Sequence, residues 1–242
     1  MKTNKKGMPR LALIVIATAL IGGIAAYVSL QSQASTAVNQ NDEITSVTST
    51  DPAPAESGFS AVTIDVKAAL APRVLGDEKA PVTIEEYASL SCSHCAHFSK
   101  DTFEKLKEKY IDTGKVRLVY NDFPTSGSAL EATMAARCLP AERYFQFIKF
   151  LFETQNDWAF DKDFHGKLKQ SAGLLGLGGD TFEACVSNEY LKIGISEAMQ
   201  AASKKYEISS TPTFIINGKE KISGAQALSA FEKVIDPLLE AN

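Results

Sequence analysis

Residues 82–95 read Val82-Thr83-Ile84-Glu85-Glu86-Tyr87-Ala88-Ser89-Leu90-Ser91-Cys92-Ser93-His94-Cys95. The β-branched and aromatic residues from Val82 to Tyr87, entered through Pro81, predict a strand. From Cys92 to about Tyr110 the period changes. Phe98, Thr102, Leu106 and Tyr110 recur at every fourth position, which predicts a helix that Gly114 stops. Val116-Arg117-Leu118-Val119-Tyr120 then predicts a second strand, ended by Pro124. Strand, helix, strand is a βαβ unit with parallel strands.

The two cysteines fall where that unit turns from strand into helix. A helix N-terminus carries about half a positive elementary charge and free N–H donors, which favour a thiolate on the first cysteine, Cys92. A protonated His94, in the Ser93-His94 spacer, adds to that stabilisation. Cys95, two residues beyond the spacer's start, can reach back to resolve a mixed disulfide. Attachment of a c-type haem requires His directly after the second cysteine, and position 96 is Ala. Cys92, His94, Cys95 and His97 also offer metal ligands. Structural zinc sites draw a second ligand pair from a distant segment, so neither a metal nor another cofactor is expected.

Outward from this unit, residues about 127–205 hold no strand pattern. Leu130, Met134 and Cys138 are spaced by four. Tyr144, Phe147, Ile148, Leu151 and Phe152 form a wide apolar stripe, and Leu191, Ile195, Ala198, Met199 and Ala202 form another. Four or five packed helices are expected here, one of them capped by Asp180. Gly173, Gly176, Gly178 and Gly179 lack the preceding strand and following Lys-Ser/Thr of a phosphate loop, and read as a helix–helix connection. His165 has no ligand partner nearby in sequence. Strand character returns at Thr213-Phe214-Ile215-Ile216. Asn217-Gly218 signals a hairpin, Lys219 to Ile222 supplies the return strand, and Ala225 to Leu239 closes the chain as an amphipathic helix. The expected class is α/β, a thioredoxin-like fold with an inserted α-helical domain.

The chain has 242 residues, 45% hydrophobic and 22% charged, which are globular proportions. Its net charge of −4 offers no basic field for nucleic acid. The first sixty residues differ from the rest. Lys2, Lys5, Lys6 and Arg10 form a cytoplasmic n-region at 1–10 and precede an uncharged run from Leu11 to Leu30, long enough as a helix to cross a bilayer. Two fates are open, an uncleaved transmembrane anchor contacting the membrane or a signal segment cut after Ser32-Gln33-Ala34. Residues 31–60 are polar and Pro-containing and read as a linker, leaving 61–242 as the globular part. Either fate exports that part.

The strand–Cys-Ser-His-Cys–helix segment, the helical block and Ser210-Thr211-Pro212-Thr213-Phe214-Ile215-Ile216-Asn217-Gly218 resemble the DsbA-type thiol:disulfide oxidoreductases of bacterial envelopes. Leu75-Gly76-Asp77 and Ala80-Pro81-Val82-Thr83-Ile84 are similar to the alphaproteobacterial branch, and the likeness runs from about Arg73 to Leu239. The resemblance implies Cys92 as nucleophile, Cys95 as resolving thiol and Thr211-Pro212 as a cis-proline loop that pairs with an extended substrate. It implies Glu86 as a buried acid serving Cys95. Glu86 shares strand parity with Val82 and Ile84, although a solvent-facing carboxylate is the alternative. The Ser93-His94 spacer departs from the Pro-His of the family's strong oxidants. Cys138 and Cys185 are either free buried thiols or, in an oxidising compartment, a structural disulfide. The function implied is a periplasm-facing oxidase, anchored in the inner membrane or secreted. It would introduce disulfides into unfolded or partly folded exported proteins and be reoxidised by a DsbB-like membrane partner. A disulfide isomerase or reductase of the envelope is the nearest alternative. A metal-binding or holdase module using the same cysteines is the alternative from another class.

Overall fold

The computed structural model describes residues 62–241. The n-region at 1–10, the apolar segment at 11–30 and the linker at 31–60 lie outside them. Among the described residues no helix is long and apolar enough to cross a membrane.

A short helix α1 (Val66–Ala69), capped by the Asp65 side chain, leads into β1 (Arg73–Leu75) and β2 (Val82–Ala88). Next come α2 (Ser93–Phe98) and α3 (Glu104–Leu106), joined and extended by π-helical stretches at Ser99–Phe103 and Lys107–Ile111. After a turn at Gly114 comes β3 (Val116–Asp122). Six helices follow: α4 (Gly127–Arg137), α5 (Ala141–Glu153), α6 (Gln155–Trp158), α7 (Phe164–Leu174), α8 (Gly179–Val186) and α9 (Glu189–Tyr206). Then β4 (Thr213–Ile216), β5 (Glu220–Ser223) and α10 (Leu228–Glu240) complete the fold.

The sheet has the order β1-β3-β2-β4-β5, with β2 and β3 parallel and every other pairing antiparallel. This is the βαβ then ββα arrangement of a thioredoxin-like α/β fold, with the helices α4 to α9 placed between the halves. Asn217 and Gly218 both have positive φ, the backbone that a two-residue hairpin turn demands. Val82 and Ile84 on β2, Leu118 on β3 and Phe214 on β4 pack with Phe98 and Phe231 on one face of the sheet. The helical block has its own apolar centre in Tyr144, Phe147, Leu151, Trp158, Leu168 and Phe182. Each such side chain contributes roughly 1.5–3 kcal/mol when fully buried.

A buried ion pair joins the two parts. Arg137 at the end of α4 donates through Nε to Asp122 at the end of β3, and Tyr144 Oη donates to the other Asp122 oxygen at 3.1 Å. Arg137 Nη1 also donates to the carbonyls of Ala69 and Ala71, at 2.9 and 3.1 Å, tying down the segment before β1.

Several expectations change. The block holds six helices rather than four or five, because the four-residue α6 is too short to show a period. The three-residue β1 has no sequence signal and exists because β3 offers it an edge. Gly178 occupies the N-cap of α8, and Asp180 lies inside the first turn, where a carboxylate still complements the helix dipole. His165 is not isolated: its Nδ1 lies 2.7 Å from Glu131 and its Nε2 3.3 Å from Glu183.

Candidate active site

Cys92 is the N-cap of α2, with extended backbone, so its sulfur faces the free N–H groups of the first turn. It is partly exposed, while Cys95 is fully buried on the inner side of the helix, and both are free thiols. Hydrogen bonds hold the Cys92 thiol at an acidity of about 5. That from the Cys95 thiol is the strongest, followed by those from the Thr211 side chain and the backbone N–H groups of Cys95 and His94; partial burial opposes them. Cys95 is driven the other way, well above an ordinary thiol, by burial first and then by the adjacent Cys92. The two sulfurs therefore differ sharply in proton affinity.

The loop before β4 closes over this pair. The Thr211–Pro212 peptide is cis, and the Thr211 carbonyl accepts from Cys92 Sγ at 3.3 Å. Ser93 is exposed at the first position of α2. His94 acts on Cys92 through its backbone N–H; its ring is exposed and stands edge-on to His97 at 6.3 Å.

Glu86 lies on β2 between Tyr120 of β3 and Phe214 of β4. It is 4% exposed, and burial alone pushes its carboxyl up to about 8. It is therefore protonated at neutral pH. Cys138 and Cys185 are joined by a disulfide with a Cα–Cα distance of 6.3 Å, linking the end of α4 to α8.

Two features of the site carry no sequence signal. The Gln155 side chain, 3% exposed at the start of α6, donates from Nε2 to the carbonyls of Leu90, at 2.7 Å, and Cys92, at 3.1 Å. The helical block thus grips the backbone on which Cys92 sits. A hydroxyl chain does the same on the other side. Ser89 Oγ lies 2.9 Å from Thr125 Oγ1, Ser91 Oγ lies 2.9 Å from Ser126 Oγ, and Ser126 caps α4. Among the described residues, no three His, Cys, Asp or Glu side chains gather to hold a metal ion.

This geometry has relatives. A thioredoxin family model matches residues 69–237. The crystal structure of alpha-DsbA1 from Wolbachia pipientis is similar with a TM-score of 0.66 and 35% identity, over 70% of this chain and 92% of that one. A Rickettsia conorii protein named as a protein-disulfide oxidoreductase is 28% identical over 203 residues, covering 84% of this chain and 72% of its own. A Rickettsia prowazekii protein of the same description is 29% identical over 166 residues, 67% of this chain and 61% of its own length.

Proposed function

We propose, from the premise that this chain belongs to the thioredoxin family and within it to the DsbA-type thiol:disulfide oxidoreductases, that its Cys92–Cys95 pair donates disulfides to exported proteins. The observation that carries this direction is the divergence of the two thiols, with Cys92 held near 5 and Cys95 pushed far up beside the cis Thr211–Pro212 loop. A low-pKa thiol is a good leaving group. Stabilising the reduced enzyme as a Cys92 thiolate makes its disulfide a strong oxidant.

In the cycle, a client thiolate attacks Cys92 of the Cys92–Cys95 disulfide. The S–S bond breaks and its electron pair leaves on Cys95, which takes a proton. Glu86, neutral at working pH, is the acid assigned to this supply. A second client thiolate then attacks the client sulfur of the mixed disulfide, and Cys92 departs as a thiolate. The client is oxidised by two electrons and the enzyme reduced by two. The Thr211 backbone beside Cys92 pairs with an extended client segment. The cationic n-region and the uncharged run at 11–30 support an envelope location facing the periplasm, and reoxidation falls to a DsbB-like membrane partner.

The deciding experiment equilibrates the chain with glutathione buffers and counts alkylated thiols by mass. A potential near about −120 mV supports the oxidase, whereas about −270 mV would recast the chain as a reductase. Failure of the pair to exchange at all would remove the enzymatic reading.

A further inference from the structure

Past β2 the chain leaves the sheet on its way to Cys92. The Phe123 N–H donates to the Ala88 carbonyl at 2.8 Å, closing the β2–β3 ladder, and Ser89 follows outside it. A main-chain N–H that leaves a ladder inside a protein needs another acceptor. That of Ser89 hydrogen-bonds to the Cys95 sulfur, and Ser89 and Cys95 are both buried. The Ser89 carbonyl in turn accepts from the Cys92 N–H at 3.0 Å. One residue thus meets both cysteines of the site through its main chain.

The Ser89 side chain is tied to a third place. Its Oγ accepts from the Thr125 N–H at 3.2 Å and lies 2.9 Å from Thr125 Oγ1. Thr125 is exposed, in the connection between β3 and α4. Two hydrogen bonds to one neighbour fix the hydroxyl, and with it the direction in which the Ser89 N–H points.

We infer that the Ser89 N–H is the catalytic donor that receives the charge on Cys95 when a client thiolate opens the Cys92–Cys95 bond, and that Thr125 is the positioning residue that aims it. This rests on the oxidoreductase reading of the two cysteines. In that step the client sulfur bonds to Cys92 Sγ, the S–S bond breaks, and its electron pair settles on Cys95 Sγ. The charge forms in a buried place, where an unmet thiolate is costly. An N–H already aimed at a developing charge lowers the barrier, and a stabilised leaving thiolate departs faster. The proton then supplied to Cys95 neutralises that charge. When the second client thiolate releases Cys92, Cys95 takes no part, so a donor to Cys95 acts on the first step alone.

The test compares two steps in the full-length protein, with glutathione as the attacking thiol. The first is the initial loss of the Cys92–Cys95 disulfide, acid-quenched and counted by mass, in which Cys95 leaves. The second is the freeing of Cys92 in Cys95→Ala protein that carries a preformed mixed disulfide with glutathione, in which Cys92 leaves. Ser89→Ala slows the first step by roughly three- to ten-fold and changes the second by less than about two-fold. Equal slowing of both steps marks a residue that only holds Cys92 in place and overturns the proposal, as does an unslowed first step. Thr125→Val, at an exposed position, removes the hydroxyl and serves if Ser89→Ala fails to fold. It slows the first step alone, by roughly two- to five-fold, and Thr125→Ser restores the wild-type rate. A Thr125→Val protein as fast as wild type overturns the proposal. Wild-type protein that never exchanges with glutathione removes the oxidoreductase reading and the proposal with it, whereas wild-type exchange with unaltered variants removes the proposal alone.

Discussion

Gln155 Nε2 donates to the carbonyl of Cys92 at 3.1 Å, so a side chain from the helical block holds the main chain of Cys92. The same nitrogen donates to Leu90 at 2.7 Å, and the two bonds span the turn that delivers Cys92 to the start of α2. Replacing Gln155 by Leu keeps the volume and removes both donors. The turn loosens, the N–H groups of His94 and Cys95 lose their aim at the sulfur, and the Cys92 pKa rises by roughly one unit. Ultraviolet titration of the thiolate reads this directly. A purely structural Gln155 would lower the melting temperature and leave the titration where it was.

The second prediction concerns Cys92 itself. In the reduced protein its thiol titrates near 5, with Cys95 staying protonated throughout the accessible range. A folded pKa below the unfolded one stabilises the fold above the unfolded value and loses that effect as pH falls towards 5. The oxidised protein has no such group. The melting-temperature advantage of reduced over oxidised protein should therefore grow as pH is raised from about 5 to about 8. A gap that is flat with pH would contradict the hydrogen-bonding account of the thiolate.

Glu86 acts with the opposite sign. Its folded value near 8 exceeds its ordinary value of 4.5, so the folded state holds a proton that the unfolded state releases. Stability falls as pH rises through that window, by on the order of a few kcal/mol. Measured on the oxidised protein, where no free thiol titrates, Glu86→Gln should flatten the decline and raise stability at pH about 8 relative to wild type. Denaturant unfolding at three or four pH values tests it.

Breaking the buried pair should be costly in one direction only. Arg137→Met leaves Asp122 charged and buried, with Tyr144 as its remaining partner, at a cost of about 3–5 kcal/mol. Adding Asp122→Leu removes the orphaned charge and should recover part of that loss. Urea midpoints of the two variants and wild type decide it. A double variant less stable than the single one would contradict the desolvation argument.

Loss of the Cys138–Cys185 bridge, by changing both residues to Ala, should lower stability by about 2–4 kcal/mol. Thermal unfolding with and without the change measures it.

Local chemistry made part of this molecule readable in advance. The strand from Val82, the helix beginning at the cysteines and the Asn217-Gly218 hairpin each declare themselves through period or turn residues within about a dozen positions. Cys92, Cys95 and Thr211 come together in the structure, and Glu86 lies on the adjoining strand beside Tyr120. What escaped notice depends on partners remote in sequence. Gln155 sits 63 positions from Cys92 in a helix of one turn, and a glutamine there looks like any solvated residue. Strand β1 owes its existence to β3, and Tyr120 matters only because Glu86 lies across from it. His94 was legible as a residue near the thiol, but whether its ring or its N–H acts is a question of rotamer and exposure that spacing does not encode.

Cys92 and Thr211 are 119 positions apart, and the helices from Gly127 to Tyr206 must all be laid down between them. An incomplete chain ending before residue 211 therefore carries Cys92 without the loop that later stands over it. The Thr211 contribution to the acidity of Cys92 arrives only when β4 docks against β2. The complete surroundings of Cys92 are thus a product of the whole fold, not of the Cys92–Cys95 segment alone.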